Sequence, residues 1–102
     1  MDKLEIVKQL LEEHQGKGNS ISAGEIEQIL GYSTEDTHAK GRKLVERCMM
    51  EYGIPVGGDT SGYYIITNQA ELNECKATLQ SRAKKIKDRE KLMEKNFREW
   101  NK

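Results

Sequence analysis

The side chains with the widest chemical repertoire in this chain are two histidines and two cysteines. They are His14, His38, Cys48 and Cys75. No two of them stand at the spacing of metal ligands, and no nucleophile is paired with a base in a recognisable motif. Gly57-Gly58 lacks the Lys-Ser/Thr that follows in a phosphate-binding loop. We therefore expect a binding protein and not an enzyme, with no metal and no cofactor.

Charged side chains are the other candidates for chemistry, and they are unevenly distributed. The 102 residues include 17 Lys and Arg and 17 Asp and Glu, and this zero net charge argues against a strong general binder of nucleic acid. Residues 1–66 hold 7 basic and 11 acidic residues, a net of −4. Residues 67–102 hold 10 basic and 6 acidic residues, a net of +4. This change predicts an organisational boundary near residue 67.

The composition sets limits on size and location. Only 35% of the residues are apolar and 33% are charged, so we expect one small domain with an appendage, without a core through the whole length. The charged amino terminus follows a helical pattern, unlike a signal peptide. No apolar run approaches the roughly 20 residues that cross a bilayer. We expect a cytoplasmic protein with two thiols, although a Cys48–Cys75 disulfide stays open.

Two helices are predicted in the first thirty residues. Apolar residues at helical spacing predict the first helix over about 2–13. Ile21 is a candidate for a minimal strand that pairs with a later hairpin. Ser22 and Glu25 have the form of a capping box for a second helix that ends at about Leu30. The residues of that helix predicted to face inward are Ile26, Ile29 and Leu30.

A third helix is predicted from about Thr34 to Tyr52, capped by Ser33 with Asp36 in the capping-box position. At 100° per residue its apolar and basic residues separate onto two faces. The apolar face comprises Gly41, Leu44, Val45, Cys48, Met49 and Tyr52. The other face includes Lys40, Lys43 and Arg47, with Arg42 on its flank. The glycine predicts close approach of another helix, and the basic face is either a solvated surface or a binding surface.

A hairpin is predicted directly after the third helix. Gly53 ends that helix and Pro55 prevents its continuation. Residues 53–56 and 62–66 are predicted as short strands, and the glycine-rich segment 57–61 is predicted as the loop between them. Because two adjacent tyrosines alternate across the second strand, one of them is expected to pack inward.

A long helix without a breaker is predicted from Gln69 to about Trp100, capped by Thr67 or Asn68 with Glu71 in the capping-box position. Five of its apolar residues stand seven apart, which is typical of a coiled-coil seam. They are Leu72, Leu79, Ile86, Met93 and Trp100. A second, partial row contains Cys75, Ala83 and Phe97. A helix with one apolar stripe needs a partner, which is a second copy, the preceding domain or another protein.

Several segments stand in a recognisable order along the first two thirds of the chain. They are Ser22–Leu30, Gly31-Tyr32-Ser33, Arg42-Lys43-Leu44-Val45, Gly53-Ile54-Pro55-Val56 and Gly62-Tyr63-Tyr64-Ile65. This order resembles the winged helix-turn-helix family, and most of all the small biotin-repressor-like type of bacterial regulators and prophage genes. The resemblance implies a mainly α fold with a small antiparallel β-hairpin. Residues 1–67 would form the winged domain, and residues 68–102 the long C-terminal helix.

The same resemblance implies that double-stranded DNA is the partner. The third helix would enter the major groove, and the wing would touch the backbone or the minor groove. The contacts implied on the helix are Thr37, His38, Lys40, Arg42, Lys43 and Arg47, with Thr60 and Ser61 at the wing tip. We expect a transcription regulator that the last helix joins into a homodimer.

Two features keep other interpretations open. The densest basic stretch, on the last helix, is either the charged surface of a coiled coil or a second contact with nucleic acid. It comprises Arg82, Lys84, Lys85 and Lys87. The alternative function is a protein-interaction module, in which the winged helix is a scaffold and the long helix binds a host or phage protein without sequence-specific DNA binding.

Overall fold

The structure is a computed structural model that describes residues 1–33 and 37–100. The elements of this part of the chain are α1 (Lys3–Glu12), α2 (Ala23–Ile29), α3 (Ala39–Tyr52), β1 (Val56–Asp59), β2 (Gly62–Ile65) and α4 (Gln69–Trp100). The fold is mainly α with a two-stranded antiparallel hairpin and a long last helix, as the sequence predicts. Contacts divide the chain into two compact units, Met1–Leu72 and Asn73–Lys102.

The core of the Met1–Leu72 unit lies among its helices and the hairpin. Its buried apolar residues are Leu4, Val7, Leu11, Ile21, Ile26, Val45, Cys48, Tyr64 and Ile65. Burying one large aliphatic side chain contributes about 1.5–3 kcal/mol, so this small set, none of which lies on α4, is the main apolar contribution to the stability of the unit. Burial also raises the pKa of the Cys48 thiol, which lies 3.6 Å from the carbonyl oxygen of Leu4.

Local capping explains where α1 and α2 begin. Asp2 Oδ1 accepts a hydrogen bond from the backbone N–H of Glu5 at 2.9 Å. Ser22 and Glu25 form the predicted capping box, each side chain accepting from the other's backbone N–H.

The inward prediction for Ile29 is wrong, because 56% of this residue is exposed. The buried arc of α2 centres between Ile26 and Glu27, and Ile29 lies more than a quarter turn from it.

The hairpin differs from the prediction in the bounds of its first strand and its loop. Val56 pairs with Ile65 and Asp59 pairs with Gly62, so the turn between the strands is only two residues long. The glycines of segment 57–61, predicted as loop, therefore lie in β1. Gly58 pairs with Tyr63, whose ring lies at an ordinary contact distance of 3.5 Å from where a Cβ on Gly58 would stand.

The second strand of the hairpin is anchored to the α1–α2 connection. Ile21 and Tyr63 exchange two backbone hydrogen bonds at 2.8 and 2.7 Å, which confirms the predicted minimal strand. Gly62 has φ 141°, and a Cβ there would lie 2.3 Å from the carbonyl oxygen of Ile21. Only glycine fits at this crossing. Of the two tyrosines, Tyr64 is buried and Tyr63 is half-buried.

The start of α4 is held by side chains that belong to the Met1–Leu72 unit. Asn68 Oδ1 accepts from the backbone N–H of Glu71 at 2.9 Å, as predicted for the cap. The Glu71 carboxylate accepts from the backbone N–H groups of Thr67 and Lys17, both at 2.8 Å, and these bonds lower its pKa. In the predicted capping box the Glu71 side chain would accept from the backbone N–H of Asn68. In the structure it accepts from the backbone N–H of Thr67, one residue earlier.

The rest of α4 buries none of its described side chains within the protomer. The seven-residue stripe is exposed from Leu79 onward, with 62% exposure at Leu79 and 89% at Trp100. None of the described helices combines the length and the apolar character that a bilayer span requires.

Candidate nucleic-acid interface

The helix predicted to bind DNA begins later than the sequence suggests. Helix α3 starts at Ala39, and its N-cap is His38 in the left-handed conformation with φ 52°. The prediction that Ser33 caps this helix is therefore wrong, and Thr37 lies in a turn before it. The predicted start at Thr34 and the capping role of Asp36 lie outside the described residues.

A carboxylate from α2 provides the cap that α3 lacks locally. Glu27 is 1% exposed, and its Oε2 accepts from the backbone N–H of Gly41 at 3.0 Å. Its Oε1 lies 2.8 Å from His38 Nδ1. The hydrogen bond with His38 and then the bond from Gly41 lower the pKa of Glu27, so the side chain is charged at neutral pH. A negative charge suits the positive end of a helix dipole.

Two glycines allow α2 and α3 to approach closely enough for this contact. A Cβ on Gly41 would lie 2.8 Å from the carbonyl oxygen of Ala23, which confirms the predicted close approach. A Cβ on Gly24 would lie 3.2 Å from the His38 ring. The position of α3 is thus fixed by backbone proximity and by a buried ionic hydrogen bond.

The predicted faces of α3 are largely confirmed. Gly41, Val45 and Cys48 are buried, and the basic residues 40, 42, 43 and 47 are all exposed. Met49 and Tyr52, predicted as inward, are 43% and 38% exposed; Met49 stands at the edge of the apolar face, and Tyr52 is the last residue of the helix.

Pairing with carboxylates divides the basic residues of this helix into two groups. Arg47 Nε donates to Glu51 at 2.8 Å, one helical turn further on. Among the described residues, no carboxylate lies within ion-pair distance of Lys40, Arg42 or Lys43. The cations without a carboxylate partner thus lie in the amino-terminal half of α3, and Arg47 is partly neutralised.

Two lysines from different helices meet at one aromatic ring. The Lys3 ammonium lies 4.1 Å from the centroid of the Tyr32 ring, and that of Lys40 lies 5.0 Å from it. Cation–π contacts of this kind contribute about 0.5–1 kcal/mol at exposed sites. Lys3, like Lys40, has no carboxylate within ion-pair distance among the described residues. The basic face therefore extends from α3 to the start of α1.

An open groove of about 360 Å³ runs beside α3. Arg42, Lys43 and Glu46 line it on the helix side, and Tyr63 lines it on the hairpin side. Burial raises the pKa of the Tyr63 phenol, which is therefore neutral and able to donate a hydrogen bond. The groove combines two cations and a neutral donor, which are groups that contact phosphate and sugar oxygens, with the carboxylate of Glu46 and the apolar side chains of Ala39, Val45 and Met49.

The predicted wing-tip residues form the turn of the hairpin. Thr60 and Ser61 are exposed and lie between the paired residues Asp59 and Gly62. Asp59 Oδ1 accepts from the backbone N–H groups of Ser61 and Gly62, at 2.8 and 3.2 Å. The acidic residue at the tip thus has a structural role, as an Asx turn.

The second basic stretch is exposed along α4. Lys84 pairs with Asp88 at 3.2 Å and Lys87 with Glu90 at 3.5 Å, whereas Arg82 and Lys85 have no carboxylate partner in the described part of the chain. Such pairs are typical of a solvated helix surface.

The comparisons with known proteins give no assignment. No protein-family model matches this chain, and no significant match is found among curated proteins or among solved structures. The interpretation of the site therefore depends on its geometry and charge.

Sequence reasoning missed three residues of this region, namely Lys3, Glu27 and Tyr32. No signal in the residue types distinguishes the buried Glu27 from the exposed Glu25 two positions earlier. A role for Tyr32 could have been predicted, because it directly follows Gly31 at the end of α2, where a large aromatic ring is expected to contact neighbouring side chains. Lys3 lies far from α3 in sequence, and only the tertiary fold places it beside Tyr32.

Proposed function

We propose that this chain is a small DNA-binding regulator of the winged helix-turn-helix type. The single observation that carries the proposal is the distribution of its cations without carboxylate partners. In the described part of residues 1–72 these are Lys3, Lys40, Arg42 and Lys43. Three of them lie in the amino-terminal half of α3, and the fourth meets Lys40 at the Tyr32 ring, although the segment 1–66 has a net charge of −4. Local positive charge on an acidic unit favours a specific contact over general attraction to polyanions.

The geometry of α3 supports this role. Its amino-terminal half is exposed, rigidly held by Glu27 and Gly41, and flanked by the groove beside Tyr63. A recognition helix contacts base edges with its amino-terminal residues and needs a fixed orientation to do so. In the proposal Lys40, Arg42 and Lys43 contact DNA, while His38 is a positioning residue and Arg47 a weaker contact.

The test begins with a selection from random or genomic duplex DNA, which returns a sequence motif if the proposal is right. Binding of that motif is then titrated at several salt concentrations with Lys40→Gln/Lys43→Gln and with the parent. Each lost phosphate contact reduces the slope of log affinity against log salt by about 0.9. We expect the double variant to lose most of its affinity, and Lys8→Gln, whose lysine pairs with Glu12 at 2.9 Å, to retain it. Failure to bind duplex DNA at low salt would contradict the proposal.

The second candidate function is a protein-interaction module. It is favoured by one observation, the exposure of the α4 stripe together with Phe97, which is 69% exposed. In the leading proposal this stripe joins two copies of a cytoplasmic regulator. In the alternative it binds another protein, and the chain has no DNA site. Neither proposal assigns an enzymatic activity, a metal or a cofactor.

A further inference from the structure

We propose that Lys3, Lys40 and Tyr32 form a phosphate-binding site that links the first turn of α1 to the first turn of α3. The inference rests on the proposed DNA binding and deepens it, because it names a backbone contact outside the recognition helix. Its ligand class is a phosphate oxyanion, which both a DNA backbone and free phosphate supply.

Two positively charged side chains lie close to the same aromatic ring. The Lys3 and Lys40 ammonium groups lie 4.1 and 5.0 Å from the Tyr32 centroid. Their separation cannot exceed the sum of these distances, which is close to the Debye length of about 8 Å at physiological ionic strength. They therefore repel each other, and an anion that contacts both ammonium groups relieves the repulsion.

The nearest described carboxylate with an effect on these lysines is Glu27, whose pKa Lys40 helps to lower, but its two oxygens are bonded to His38 and Gly41. Neither lysine has a carboxylate within ion-pair distance among the described residues.

Lys8, on the same helix as Lys3, shows the contrast. Its ammonium lies 5.4 Å from the Tyr52 centroid and pairs with Glu12 at 2.9 Å, so its charge is already balanced.

The ring is held in place by the end of α2. Gly31 has φ 81°, and the backbone N–H of Tyr32 donates to the carbonyl of Glu27 at 2.9 Å. The N–H of Gly31 donates to the carbonyl of Gln28 at 3.1 Å. These two bonds form a Schellman motif, which fixes the residue that follows the left-handed glycine.

The two lysines also belong to anchored turns. Asp2 caps the first turn of α1, which contains Lys3, and Glu27 caps the first turn of α3, which contains Lys40. Three separately fixed backbones thus hold two long cationic side chains near one ring. A bound oxyanion accepts a hydrogen bond from each ammonium group, and preorganised backbones reduce the entropy lost on binding.

The test compares Lys3→Gln with Lys8→Gln, a matched change on the same helix. Both variants and the parent are titrated with the selected duplex over a range of salt concentrations. We expect Lys3→Gln to reduce the slope of log affinity against log salt by about 0.9 relative to the parent, and Lys8→Gln to leave the slope unchanged. Circular dichroism shows whether each variant retains the parent's helix content.

A second titration uses inorganic phosphate at constant ionic strength, followed by the backbone amide resonances around Tyr32 and Lys40. A saturable shift in the parent that Lys3→Gln abolishes and Lys8→Gln retains supports a site for free phosphate. An effect of Lys3→Gln in the DNA titration alone supports a site for the nucleic-acid backbone.

The inference is overturned if Lys3→Gln matches Lys8→Gln in both titrations. That outcome leaves the proposed function standing if Lys40→Gln/Lys43→Gln still weakens DNA binding. Conversely, a protein that does not bind DNA but shows the Lys3-dependent phosphate shift has the site without the proposed function.

Discussion

Glu27 on α2 caps helix α3 through the backbone N–H of Gly41, which donates to its Oε2 at 3.0 Å. The cap crosses from one helix to the next, and so the orientation of α3 depends on a residue that is not on that helix. A buried carboxylate held this way gives the protein a predictable response to pH.

The first prediction concerns Glu27→Gln. The pKa of Glu27 is lowered from its ordinary value of 4.5 in the folded protein, first by His38 and then by Gly41. The ionised form therefore stabilises the fold at pH above 4.5, and this contribution is lost as the pH falls through the lowered value. We expect the variant to have a smaller free energy of unfolding than the parent at pH 7, and the gap to narrow by pH 3.

Urea titrations at the two pH values measure the gap. Glu13→Gln is the control, because the Glu13 carboxylate is exposed and makes no hydrogen bond in the described part of the chain. An equal gap at pH 7 and pH 3 would show that the charge of Glu27 is unimportant.

The second prediction separates two reasons for glycine in α3. Gly41→Ala places a Cβ 2.8 Å from the Ala23 carbonyl, and overpacking of this kind costs about 1–3 kcal/mol. The better helix propensity of alanine offsets about 0.5–1 kcal/mol of that cost. Gly53→Ala meets no atom within 4 Å, but it must adopt φ 65°, at a cost of roughly 1–2 kcal/mol.

Thermal unfolding of asparagine variants distinguishes the two cases, because asparagine tolerates the left-handed conformation better than alanine does. Gly53→Asn should recover part of the stability lost in Gly53→Ala. Gly41→Asn should be at least as destabilised as Gly41→Ala, since a larger side chain worsens the contact with Ala23. Recovery by asparagine at both positions would refute the packing argument for Gly41.

The third prediction concerns the exposed stripe of α4. If this stripe joins two copies, Ile86→Lys with Met93→Lys should convert a dimer into a monomer and reduce helix content, because a single long helix with one apolar stripe is marginal alone. Leu92→Lys is the matched control, since Leu92 is 56% exposed but lies off the seven-residue stripe. Sedimentation equilibrium gives the oligomeric state. A parent that is monomeric at every concentration would argue for another partner or none.

Most features that the sequence predicted correctly have local causes. The Ser22–Glu25 box and the bounds of α4 follow from residues close together in sequence or from a strong period. The burial of Gly41 against α2 was predictable too, because glycine on an apolar helix face has few other uses.

The features that it predicted wrongly depend on contacts between distant residues. Residues 37 and 38 were predicted as helix but precede α3, because its cap comes from Glu27 on another helix and no local pattern records that contact. The bounds of the first strand were wrong because glycines are typical of loops, whereas Gly57 and Gly58 pair here with Tyr64 and Tyr63. Lys3 was missed for the same reason, since its relation to Tyr32 exists only in the folded unit.

The bonds from Thr67 and Lys17 to the Glu71 carboxylate have a consequence for the order of folding. Forming the first turn is the costly step in making a helix, and later residues add with little cost. Because the Met1–Leu72 unit supplies that turn ready-made, we expect it to nucleate α4 during folding. A peptide of residues 69–100 alone would lack this nucleus, and the helix would then depend on its partner from the first residue onward.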